Sequence, residues 1–165
     1  MKRANQLQPL SRQHHLGLNI ARHAKECPDD HTAITKHWSA LTAYLSDMHE
    51  HFHIEDTLIA NALLPYKETQ SEIASVLETL EKQHKSLYEF MAKVKISTES
   101  KDSKNSKANE VTVVEVKELG TLLYDHIRFE ERELFPIVER YLTEEELDAI
   151  YAASPDSIKR MDEER

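Results

Sequence analysis

Four stretches of this chain carry apolar residues at three- and four-residue steps, and each run is interrupted near its middle by a histidine, with a glutamate added in two of them. That period places the apolar side chains on one face of an α-helix. The first helix is expected over 11–26, with Ser11 as its N-cap and Leu18, Ala21 and Ala24 on the face that Leu7 and Leu10 begin. The second spans 31–64 and ends at Pro65, with Ile34, Trp38, Leu41, Leu45, Met48, Phe52 and Ile59 in phase. The third covers 71–96 through Ile73, Leu77, Leu80, Leu87 and Met91, and the fourth 111–141 through Val116, Leu119, Leu123, Leu134 and Ile137. The opening of the fourth, VTVVEV, is β-branched and equally suited to a strand.

Two glycines and five prolines among 165 residues leave too few turn formers for a many-stranded sheet. The expected fold is therefore all-α: an up-down-up-down four-helix bundle forming a single domain over 1–165. A short C-terminal helix should follow over 144–152, with Thr143 and Glu146 as a capping box. The segment 97–110, nearly free of apolar side chains, is expected to be an exposed mobile loop.

A formal charge of −9 argues against nucleic acid or an anionic membrane as partner. No apolar run suits a signal peptide or a membrane span, and the lone Cys27 excludes an intrachain disulfide, so a reducing cytoplasmic location is expected. Ten histidines beside that one cysteine turn attention to metals held by imidazole and carboxylate.

The interruptions are themselves repeated. QHHLGL around His14 aligns with QHKSLY around His84 at an offset of 70 residues, so the first and third helices look like one unit used twice. His51-Phe-His-Ile-Glu55-Asp56 aligns with His126-Ile-Arg-Phe-Glu130-Glu131 at an offset of 75, relating the second helix to the fourth. Residues four apart on a helix share a face, so each His-x-x-x-Glu pair can grip one cluster. Pointing inward, the repeat delivers four imidazoles (His14, His51, His84, His126) and two carboxylates (Glu55, Glu130). That set suits two metal ions, each with two histidines and both glutamates bridging. Burying it without a cation would cost several kcal/mol of desolvation, a large share of the roughly 5 to 15 kcal/mol that stabilises a domain.

Other spacings compete. Glu50-x-x-His53 and Glu81-x-x-His84 match the Glu-x-x-His ligand pattern of ferritin-like carboxylate proteins. However, His53 falls on a polar stripe with His49 and Glu50, and the first helix has no glutamate at its middle. His23, His31 and His37 are expected to be ordinary exposed residues. His15 adjoins His14, and a modest helix rotation exchanges their directions; the repeat favours His14, leaving His15 at the boundary. Gly17, one turn on, suits close helix packing or room for a bound diatomic molecule, with packing preferred, and Tyr88 and Tyr124 are expected in the core.

These residues, together with the EERELFP of the fourth helix, resemble the hemerythrin-like, or HHE cation-binding, family over nearly the whole chain. The resemblance implies a four-helix bundle around a non-haem di-iron centre with histidine terminal ligands, bridging glutamates and a solvent-derived bridge. Manganese and zinc accept the same donors. It also implies a small diatomic or peroxide ligand, for sensing, storage or detoxification; the alternative is a metal-stabilised interaction module without redox turnover. The chain departs from the oxygen carriers of that family. Leu80 and Tyr88 stand where they have a further histidine on the third helix, and glutamate replaces their His-x-x-x-x-Asp on the last. It also differs from the iron–sulfur-repair members, since Met1 to Ser11 contains no cysteine.

Overall fold

The computed structural model describes residues 2–99 and 111–160, and among them every regular element is helical. Helix α1, Gln8–Lys25, follows a single 3-10 turn over Asn5–Leu7. It begins three residues ahead of the expected start. Pro9 sits in its first turn, where a missing N–H costs nothing, and Ser11 is a buried helical residue rather than a cap.

The second rod is not one continuous helix. Asp30 caps α2, His31–Asp47, its carboxylate accepting from the Ala33 N–H at 3.1 Å. After Met48 come α3, His49–Ile54, a π turn over Glu55–Ile59, and α4, Ala60–Leu63, before a 3-10 turn that contains Pro65. The third rod, α5, runs Ser71–Glu99, three residues past its expected end; the rest of the expected mobile loop lies outside the described residues.

The fourth rod is α6, Val113–Phe129, then a π turn over Glu130–Leu134, then α7, Phe135–Tyr141. Its β-branched opening is helical because Thr112 and Glu115 form a reciprocal capping box. The expected box at Thr143 and Glu146 starts α8, Glu144–Ala153.

The first and fourth rods run antiparallel: Ala4 meets Glu139, His14 meets Glu131, and Gly120 faces Ala24. They approach closely because both facing positions are small. A Cβ on Gly17 would lie 2.6 Å from Ile127 Cδ1 and against the Tyr44 hydroxyl, so this glycine is there for packing. No helix among the described residues is long and apolar enough to cross a membrane.

The core is divided in two. One apolar cluster gathers Leu7, Leu10, Ile59, Leu63, Ile73 and Leu134, and α8 closes it with Leu147 and Ile150. The other gathers Ala21, Ala24, Leu41, Met48, Leu87, Leu119 and Leu123. Every rod passes from one cluster to the other through the position where its apolar stripe breaks. The interruptions therefore share one level of the bundle, enclosed by hydrocarbon at both ends.

Candidate metal centre

All six predicted residues meet at that level, and none is more than 2 % exposed. His14 comes from α1, His51 from α3, His84 from α5 and His126 from α6, while Glu55 and Glu130 are each the first residue of a π turn. His15 is exposed, and of the two neighbours it is His14 that is buried with the cluster. His49, Glu50, His53 and Glu81 are exposed as well, so the Glu-x-x-His spacings build nothing inside. His37 is half-buried rather than fully exposed. Tyr88, expected in the core, is 45 % exposed, because it stands at a groove beside His84. Tyr124 is half-buried, with Lys25 and Arg128 over its ring.

The imidazoles pair through Nε2: His14 with His51 at 3.1 Å, and His84 with His126 at 3.2 Å. Each glutamate divides its oxygens between the pairs. Glu55 lies 3.3 Å from His51 through Oε2 and 3.3 Å from His84 through Oε1. Glu130 lies 3.5 Å from His14 through Oε2 and contacts His126 through Oε1. Two groups of donors result, His14–His51–Glu55–Glu130 and His84–His126–Glu55–Glu130; in each, one donor atom per residue lies within 4.8 Å of the others.

Four residues that the sequence reading left out orient these imidazoles. His14 donates from Nδ1 to Glu131 at 2.9 Å and His84 to Asp56 at 2.7 Å; His51 donates to Gln13 Oε1 at 2.9 Å and His126 to Gln83 Oε1 at 2.7 Å. With the proton held on Nδ1, Nε2 carries a lone pair into the centre. The same offsets of 70 and 75 residues relate these partners. The signal was present in the sequence as Gln preceding His in both of one repeat and an acid following Glu in both of the other.

The facing Nε2 atoms of each pair, 3.1 and 3.2 Å apart, can both give a lone pair to one cation placed between them. All four oxygens of Glu55 and Glu130 are buried without a hydrogen-bond partner. Buried carboxylate oxygens left in this way cost free energy that a shared cation removes. The residues present therefore fit a pair of metal ions held by imidazole and carboxylate.

The electrostatics agree. Burial pushes Glu55 upward, yet the His51 and His84 imidazoles outweigh it and hold its carboxyl below the usual range. Burial also opposes charge on His84, but the Asp56 and Glu55 carboxylates beside its two ring nitrogens prevail and raise it to about 9. His51 and His126 go the other way, lowered chiefly by burial. Glu131 resists burial through its bond to His14 and falls to about 2.

The π turns begin at the two glutamates. In each, the N–H five residues on bonds the glutamate carbonyl: Ala60 to Glu55 and Phe135 to Glu130. Ile59 and Leu134, four residues after the two glutamates, are fully buried in the core. Pro136 accompanies the second turn, but Asn61 stands at the matching place in the first, so proline is not their common cause.

A helical bundle whose level of buried histidine and glutamate divides two apolar cores defines a cation-binding bundle protein. A profile described as the Hemerythrin HHE cation binding domain matches residues 5–138, and the chain belongs to that family. Comparison with curated proteins and with solved structures gives no match.

Proposed function

We propose that this chain is a cytoplasmic non-haem di-iron protein that binds or reacts with dioxygen, peroxide or nitric oxide, for sensing, storage or detoxification. His14 and His51 would hold one ion and His84 and His126 the other, with Glu55 and Glu130 shared between the two. The observation that carries this reading is the division of each glutamate's unpartnered oxygens between two imidazole pairs. Iron suits mixed imidazole and carboxylate donors, and these six residues would hold it with few enough protein ligands to leave room for a small molecule. Such a centre supplies a position for a small oxygen or nitrogen ligand and electrons to it.

The chain's own residues supply the rest. Gln13, Gln83, Glu131 and Asp56 fix the imidazole orientations. Phe135 stacks 5.2 Å from the His14 ring, and Phe52 lies 4.6 Å from His84 and 5.7 Å from His126, so hydrocarbon limits water at the centre.

The test is spectroscopic. The iron-loaded, reduced protein should change its near-ultraviolet absorption on exposure to oxygen, peroxide or nitric oxide. A loaded protein inert to all three contradicts the reading and leaves the ions a purely structural role.

A further inference from the structure

The repeat that makes the two halves of the centre alike is broken around their edges, and the break has chemical content. Beside His14, Arg3 closes the structure. Its Nη2 donates to the carboxylate and to the carbonyl of Glu131, both at 2.8 Å, and Nη1 pairs with Glu139. Its guanidinium stands 5.4 Å from the Phe135 ring centre. The Glu131 carbonyl is available because Pro136, five residues on, has no N–H to give it in the π turn. Arg3, Pro136 and Glu139 thus form a clamp over the carboxylate that orients His14.

The matching positions of the other half are Ile73, Asn61 and Leu64, none of which can build that clamp. There the structure opens. A groove of about 810 Å³, lined by Asp56, Asn61, Leu64, Leu77 and Tyr88, reaches His84. The Asp56 side chain is 41 % exposed, against 21 % for Glu131.

We infer that the two metal positions are kinetically unequal. The His84–His126 position loads, exchanges and meets small molecules through the groove, while Arg3 acts as a positioning residue that seals the His14–His51 position. This rests on the dinuclear reading above. Water and a chelator reach the open half through Asp56. Reaching the closed half requires release of Arg3 from two carboxylates and a carbonyl.

Zinc release from the two-ion protein into excess chelating dye, followed by stopped flow, tests the inference. Two phases of equal amplitude are expected. Arg3→Ala should accelerate the slow phase by about tenfold or more, in the range that loss of an outer ligand contact produces, and leave the fast phase unchanged. Glu139→Gln, which loosens Arg3 without touching Glu131, should move the same phase in the same direction, and serves if Arg3→Ala impairs folding. Two bound ions leaving in one phase, or variants that accelerate only the fast phase or both equally, overturn the inference alone. Binding of fewer than two ions overturns it together with the dinuclear reading.

Discussion

His84 Nδ1 donates to the Asp56 carboxylate at 2.7 Å while His84 Nε2 lies 3.3 Å from Glu55, so one imidazole spans an exposed acid and a buried one. In the metal-free chain both acids favour the protonated ring, which burial opposes, and its pKa stands raised from 6.5 to about 9. A raised folded-state pKa gives stability that is fully present below about 6.5 and lost as pH rises through about 9. Its ceiling is on the order of 3 kcal/mol for this shift. Urea unfolding of the metal-free protein at pH 6.5 and pH 9 should show that loss. Asp56→Asn should reduce it, and an identical loss in the variant contradicts the assignment.

Metal should stabilise the fold through the same atoms. An ion that binds only the folded chain adds about 2.7 kcal/mol at a free concentration a hundred times its Kd. Removing metal with a chelator should lower the melting temperature, and restoring it should reverse the change. In Glu130→Ala the same additions should shift the melting point far less, because both donor groups share that carboxylate.

The glutamines can be tested as a pair. Gln13→Ala and Gln83→Ala each remove the acceptor for one imidazole Nδ1 and should weaken metal binding by about 10- to 100-fold, as outer-shell changes do. Competition against a chelator of known affinity measures this. Unchanged affinity in both variants means that His51 and His126 are oriented by packing alone.

Gly17→Ala should destabilise the chain by about 1–3 kcal/mol, the usual cost of overpacking. The added methyl meets Tyr44, whose hydroxyl donates to the Gln13 carbonyl at 2.8 Å, and it meets Ile127. A double-mutant cycle with Tyr44→Phe should show coupling between the two sites. Additive effects place the strain elsewhere.

The helices and the inward cluster were legible because an imidazole in an apolar phase is a strong contrast, and a repeat supplied it twice. The same repeat favoured His14 over His15 without deciding between them, because neighbouring helix positions differ only by a modest rotation. What remained hidden depends on geometry that a regular 3.6-residue period does not carry. The π turns begin at Glu55 and Glu130, and in the second rod no proline marks the place. Ser11 resembles a cap by type, yet Pro9 had already started the helix. Asp56 and Glu131 look like ordinary surface acids in sequence, since their role appears only when another rod brings His84 or His14 to them.

The central claim is that both glutamates are shared by two ions, and anaerobic ferrous titration of the metal-free protein tests it most directly. Saturation at two irons per chain is predicted, with stoichiometry falling in His51→Ala and in Glu130→Ala. Saturation well below two in the unaltered chain, or two irons still bound in both variants, contradicts it.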